Sequence, residues 1–127
     1  MKLLTFLMIL SILLLSCSTT ESPSPESFEI VTTEANAEVP LEVTYSAYKD
    51  GDVKVDLIQY VTADGLQSIN DPVLPWNITL NIPRGINFYI KAKGTITQGK
   101  ITIKMNGFGE EGGHSQTIVD STSRSKY

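Results

Sequence analysis

The sequence predicts an all-β fold, a small immunoglobulin-like antiparallel β-sandwich over residues 39–127. From Pro40 onward apolar and polar residues alternate, and a period of two places the apolar side chains on one face of a strand. Turn residues recur at intervals of about ten residues, and no stretch in this region has a sustained helical period. Several short amphipathic strands separated by regularly spaced turns are typical of a two-sheet sandwich or a small barrel.

The alternation gives the strands in order. The first inward row is Leu41, Val43, Tyr45 and Ala47, continued by Val53 and Val55. Leu57 and Ile58 are adjacent apolar residues, and we interpret this slip as a β-bulge that shifts the inward phase to Ile58, Tyr60 and Thr62. The later rows are Trp76, Ile78, Leu80 and Ile82; then Ile86, Phe88, Ile90 and Ala92; and finally Ile101, Ile103 and Met105.

The predicted turns share residues that adopt positive φ at little cost. They are Asp50-Gly51, Asp64-Gly65, Gly85, Gly99 and Asn106-Gly107. Trp76 is the candidate for a ligand platform, since aromatic faces stack on sugar rings or cations. Because it leads an inward row, we interpret it as a core residue, with Pro75 holding Leu74 extended at the entry to the strand.

The first sixteen residues predict a signal peptide. Lys2 precedes an apolar run that ends at Leu15 and is too short to span a membrane. Leu14-Leu15-Ser16-Cys17 resembles the lipobox of bacterial lipoproteins, which implies cleavage between Ser16 and Cys17 and acylation of the Cys17 thiol. An ordinary secretory signal or an anchoring helix is the alternative. Cys17 is the single cysteine of the chain, so lipidation explains both its position and its isolation.

Residues 17–38 are predicted to form the lipidated cysteine and a flexible linker. Ser18 to Ala37 consists mainly of Ser, Thr, Glu and Pro. Such a composition buries too little apolar surface to offset the entropy lost on ordering. Phe28-Glu29-Ile30-Val31 has two interpretations, a short strand at the edge of the domain or an apolar patch in the linker, and we favour the linker.

Charge and composition exclude several kinds of partner and site. Without residues 1–16 the chain keeps 14 acidic and 9 basic residues, which argues against nucleic acid as a partner. His114 is the single histidine, so the sequence predicts no transition-metal site and no cofactor. Asp50, Asp52 and Glu110-Glu111 fall short of the roughly six to eight oxygens that calcium requires, and we interpret them as solvated turns.

The sequence also predicts a protein that is not an enzyme. A nucleophilic serine needs an oriented base, and His114 follows the glycine-rich segment Gly107 to Gly113. We interpret that segment as a flexible hairpin tip, with recognition as the alternative.

Four outward lysines, Lys91, Lys93, Lys100 and Lys104, would form a basic stripe if their strands pair. Keeping a sheet face soluble is the favoured role of such a stripe, and docking of an acidic partner is the alternative.

The order of several segments resembles the MmpS family. These segments are Tyr60 to Gly65, Val73-Leu74-Pro75-Trp76, Ile86 to Ala92, and Gly99 to Gly107. The resemblance covers about residues 41 to 120 and implies an extracytoplasmic β-sandwich that assists a resistance-nodulation-division transporter of the envelope. Members carry a transmembrane helix where this chain has a lipobox. They also end in an apolar strand, whereas residues 121–127 are polar, so either the last strand is missing or Tyr127 is its only remnant, and we expect an open sheet edge.

Three functions therefore stay open. The first is an accessory subunit of an envelope transporter, and the second is a free-standing lipoprotein that binds a small ligand, a glycan or a foreign protein. The third, an enzyme, is the least supported. The lipobox predicts attachment to a bacterial membrane through Cys17. Ser18 in place of Asp after the cysteine favours the outer membrane.

Overall fold

The computed structural model describes residues 23–127, and within them the chain forms eight β-strands and no helix. The strands are β1 (Glu26–Val31), β2 (Ala35–Asn36), β3 (Leu41–Thr62), β4 (Gly65–Asn70), β5 (Trp76–Ile82), β6 (Asn87–Phe88), β7 (Ile90–Glu111) and β8 (His114–Lys126). The predicted signal peptide and its cleavage and lipidation residues, Ser16 and Cys17, lie outside the described residues.

Two long strands organise the sheet. β3 and β7 pair antiparallel along nearly their whole length, from Glu42 opposite Phe108 to Tyr60 opposite Ile90. β5 and β8 flank one half of this pair, and β4 and β1 flank the other half. We call these the β5/β8 half and the β1/β4 half. The short strands β2 and β6 form a separate two-stranded sheet.

The two halves face each other, which confirms the all-β sandwich. The ring of Tyr45, from the β5/β8 half, lies 5.6 Å from the ring of Tyr60 in the β1/β4 half. The hydroxyl of Tyr45 donates a 2.7 Å hydrogen bond to the carbonyl of Val61. Because the layers share β3 and β7, the sandwich is one curled sheet. The immunoglobulin-like detail of the fold stays a prediction.

Two of the predicted turns lie where the long strands cross between the halves, which corrects the prediction. Gly51 and Gly99 are opposite one another in the β3–β7 register, with φ of 90° and 117°. Both strands bend there and continue, because the apolar rows before and after the glycines pack in different layers of the same core. Asn106-Gly107 is likewise no turn, since β7 runs through it.

The other local predictions hold. Asp64-Gly65 forms the β3–β4 hairpin turn, and Gly85 lies in the turn before β6. The register shifts between Val55 and Leu57, which confirms the predicted bulge. Trp76, Ile78 and Leu80 are half-buried and pack against the core, and Ile82 is fully buried. The inward phase of that row is therefore confirmed, on a strand at the edge of the β5/β8 half.

The linker prediction is wrong for residues 26–38. β1 pairs antiparallel with β7, from Glu26 opposite Ile96 to Val31 opposite Lys91. Phe28 and Ile30 are buried, as are Ala37 and Val39. Two apolar side chains at alternate positions can complete the core next to β7, although the surrounding composition is that of a linker.

The expectation of a missing last strand is also wrong, since β8 pairs with β7 as far as Lys126 opposite Gly99. Most of its inward side chains are polar and hold the segment that precedes β3, whereas Ile118 packs against the core. Arg124 donates to the Glu26 carboxylate at 2.6 Å, and Asp120 accepts from the Thr33 amide at 2.7 Å. Gln116 accepts from the Glu38 amide at 2.8 Å. These contacts close the side of the sandwich between β8 and β1.

Candidate functional site

The outer face of the β5/β8 half presents a regular array of hydroxyl and amide groups. Residues that are opposite in the register share a face, so the outward side chains form rows across β5, β3, β7 and β8. We call this surface the hydroxyl face. Its polar uncharged residues are Thr44, Ser46, Asn77, Thr79, Asn81, Thr102, Asn106, Thr117, Ser121, Ser123 and Ser125.

Few of these groups bond to one another. Thr44 and Thr79 share a hydrogen bond of 2.8 Å between their hydroxyls. Within residues 23–127 the structure records no other side-chain hydrogen bond between residues of the hydroxyl face. Serine and threonine hydroxyls both donate and accept, and asparagine adds two donors and an acceptor. The face therefore offers many hydrogen-bonding groups that solvent or a ligand can use.

Two exposed aromatic residues lie on the same surface. Tyr48 is 47% exposed and Phe108 is 57% exposed. Tyr48 is opposite Thr102, and Phe108 lies six residues further along β7. At about 3.3 Å per residue, the two rings stand roughly 20 Å apart along the strands. Between them lie the rows of hydroxyls and amides.

Two shallow grooves follow this face. The larger has a volume of about 390 Å³ and is lined by Tyr48, Lys49, Asp50, Lys100, Thr102, Ser121 and Ser123. Thr102 forms its floor, being outward-facing yet only 8% exposed. The second groove, of about 270 Å³, runs beside Phe108 and Val119. Each groove thus combines an exposed aromatic ring with hydroxyl groups.

The predicted lysine stripe does not form, which corrects that interpretation. All four lysines belong to the single strand β7 and lie in different halves of the sheet. Lys91 and Lys93 approach the Glu29 carboxylate at 3.2 and 3.6 Å on the β1/β4 half. Hydrogen bonding from Lys91 lowers the pKa of Glu29 below its ordinary value. Lys100 and Lys104 lie on the hydroxyl face.

The glycine-rich segment is mostly strand. Gly107 and Gly109 belong to β7, and the chain turns at Gly112-Gly113, both with positive φ. A Cβ on Gly109 would lie 2.0 Å from the carbonyl oxygen of Pro40, so this glycine allows close packing against the chain before β3. The flexible-tip interpretation therefore applies only to the short turn.

His114 lies at the start of β8 beside that turn. Its Nε2 lies 3.2 Å from the Glu38 carboxylate, and both side chains are exposed. Among residues 23–127 there is no group of three or more His, Cys, Asp or Glu side chains placed to hold a metal ion. Asp50 lines the larger groove, while Glu110 and Glu111 stand at the hairpin end of β7.

The described part of the chain contains no helix long and apolar enough to cross a membrane. Comparison with models of protein families, with curated proteins and with solved structures finds no match to this chain.

Sequence reasoning missed this face, although a signal for it was present. The alternation identified the apolar positions, and the intervening positions of four segments hold mainly Ser, Thr and Asn. Only the pairing order of the strands places those positions side by side.

Proposed function

We propose that this protein is a lipid-anchored, non-catalytic binding module of the bacterial cell envelope that takes carbohydrate on its hydroxyl face. The observation that carries the proposal is the combination on one sheet face of a hydroxyl and amide array with exposed Tyr48 and Phe108. Sugar rings present hydroxyls at their edges and apolar C–H groups on their faces. Hydroxyls pair with hydroxyls and amides, and the apolar faces stack on aromatic rings.

The shape of the surface fits an extended ligand better than a small compact one. Deep, mostly enclosed pockets are typical of sites for small molecules, whereas the two grooves here are shallow and lie along one face. A spacing of about 20 Å between the aromatic rings requires a ligand that spans several rows of the sheet. An oligosaccharide chain meets that requirement.

Glycan-array binding by the purified full-length protein in detergent tests the proposal. We expect binding to oligosaccharides, and we expect Tyr48→Ala and Phe108→Ala each to weaken it by about fivefold or more, because stacking contributes about 1 kcal/mol or more. Leu66→Ala is the matched control, since Leu66 is 48% exposed and belongs to β4 of the other half. If Leu66→Ala weakens binding as much as Tyr48→Ala does, the ligand does not bind on the hydroxyl face. An array with no bound glycan would refute the carbohydrate proposal.

The anchor rests on the lipobox-like sequence ending at Cys17. Cys17→Ala is expected to give a precursor that lacks an acyl label and no longer fractionates as a processed lipoprotein. Ser18→Ala is a suitable control because it leaves the cysteine intact. Acyl labelling and membrane attachment of the Cys17→Ala protein would refute lipidation at this residue. Fractionation of the wild type tests the expected outer-membrane location.

Accessory function in an envelope transporter is the second candidate. The segment that carries the MmpS resemblance includes Val73, which is highly exposed in the loop between β4 and β5. An apolar side chain on a loop can serve as a contact for a protein partner. In-cell cross-linking from position 73, followed by mass spectrometry, tests this candidate. Enrichment of a resistance-nodulation-division pump is the expected result, and recovery of no transporter subunit would count against it.

A further inference from the structure

Two lysines on the hydroxyl face lack ionic partners, unlike most other cations of the described chain. Six of the cationic side chains in residues 23–127 form ion pairs with carboxylates, namely Lys54, Arg84, Lys91, Lys93, Arg124 and Lys126. Lys49 donates a 2.7 Å hydrogen bond to the carbonyl of Val53. Within the described residues, Lys100 and Lys104 make no salt bridge. Both project from the same face of β7.

Charge on the hydroxyl face is divided between its two ends. Lys49 and Lys100 line the larger groove together with a single acid, Asp50. Lys104 lies opposite Ser121, which also lines that groove. The acids Glu42 and Glu110 lie at the other end of the face, around Phe108. A basic groove on a protein with a net charge of −4 is complementary to an anionic group.

We propose that the larger groove binds an acidic polysaccharide whose sugar rings carry carboxylates, with Lys100 and Lys104 contacting those carboxylates. This inference rests on the proposed carbohydrate function and specifies the class of glycan. The hydroxyls of Thr102, Ser121 and Ser123 lie between or beside the two lysines and would bond to the sugar hydroxyls. Tyr48 would stack on a ring at the edge of the groove.

The spacing of the lysines favours a carboxylated glycan over a dense polyanion. Lys100 and Lys104 are four residues apart, so their Cα atoms are separated by about 13 Å along the strand. Duplex DNA carries one charge per roughly 1.7 Å and calls for a continuous basic surface. A sugar chain with one carboxylate per ring or per pair of rings places its charges further apart, and it alternates them with hydroxyls as this groove does.

Affinity electrophoresis of the full-length protein through gels containing polygalacturonate or neutral galactan tests the inference. We expect retention by polygalacturonate that weakens in salt of about 1 M, where the screening length is about 3 Å. Lys100→Gln combined with Lys104→Gln should weaken polygalacturonate binding by about fivefold, since each exposed ion pair is weak and the two losses combine. The same double variant should bind galactan as the wild type does.

Lys91→Gln combined with Lys93→Gln is the matched control, because it removes two lysines from the other half of the same strand. This variant should retain wild-type preference for the acidic polymer, and thermal melting checks that every variant is folded.

Equal retention by both polymers, unchanged in the Lys100/Lys104 variant, would overturn this inference and leave the carbohydrate function standing. Binding to neither polymer, together with an empty glycan array, would refute both. If the protein binds vesicles that contain anionic phospholipid but is not retained by polygalacturonate, the groove contacts a membrane and the inference is overturned.

Discussion

Gly51 and Gly99 face each other at the point where β3 and β7 pass from one half of the sandwich to the other. A Cβ on Gly99 would lie 2.1 Å from the carbonyl oxygen of Asp50, and one on Gly51 would lie 2.6 Å from that of Gln98. Since both residues also have positive φ, this crossing has no room for a side chain on either strand.

Gly99→Ala should therefore destabilise the protein by about 3 kcal/mol, from the combined cost of positive φ and backbone overlap. Gly85→Ala is the control, because Gly85 has φ of 86° with open space around it. That variant should cost about 1 kcal/mol. Chemical denaturation measures both free energies of unfolding. If Gly99→Ala lowers the free energy of unfolding no more than Gly85→Ala does, the crossing tolerates a side chain.

Phe28→Ala should destabilise the protein by about 3–4 kcal/mol, because Phe28 is 5% exposed and completes the core beside β7. Val31→Ala, on the outward side of the same strand at 51% exposure, should cost less than about 1 kcal/mol. Urea unfolding of both variants measures the difference. A small loss for Phe28→Ala would restore the linker interpretation of this segment.

Trp76→Ala should lower the free energy of unfolding by about 3 kcal/mol, toward the lower end for aromatic truncation because the indole is half-buried. The indole ring lies 5.3 Å from the ring of Tyr60 and packs against the core. Val73→Ala, on the loop before β5, should leave the melting temperature unchanged. An unaltered melting temperature for Trp76→Ala, with loss of glycan binding, would reassign Trp76 to the binding surface.

Tyr45 should make the protein less stable at alkaline pH. Burial, reinforced by Tyr60, raises the pKa of the Tyr45 phenol well above its ordinary value of 10.0. The folded state then keeps a proton that the unfolded state releases, so stability is complete below about pH 10 and falls as the pH rises above it.

Tyr45→Phe removes this dependence and also the hydrogen bond to Val61. We expect a loss of about 1 kcal/mol at neutral pH and a smaller further decrease than the wild type shows above about pH 10. Urea unfolding at about pH 7 and about pH 10.5 measures both effects. If the free energy of unfolding decreases equally in the two proteins as the pH rises, another group causes the loss of stability at alkaline pH.

Local pattern was sufficient for many elements of the fold. Alternation identified the inward residues of β3, β5 and β7, and the adjacent Leu57 and Ile58 predicted the bulge before them. It failed for Asp50-Gly51 and Gly99, because a glycine that permits a turn equally permits a bend in a continuous strand. It failed for β8, whose inward polar residues are satisfied by partners more than 70 residues away, such as Glu26 for Arg124.

For β3, β5 and β7 the sequence by itself determined which side chains point inward, because a strand has a period of two whatever its neighbours are. It also determined the acidic charge and the lipobox-like start of the chain. Only the tertiary structure decided that β3 and β7 belong to both layers and that β5 and β8 flank the same half. The hydroxyl face depends on this strand order. Pairing between distant segments and the packing of the whole core fix the order, and no single segment specifies either.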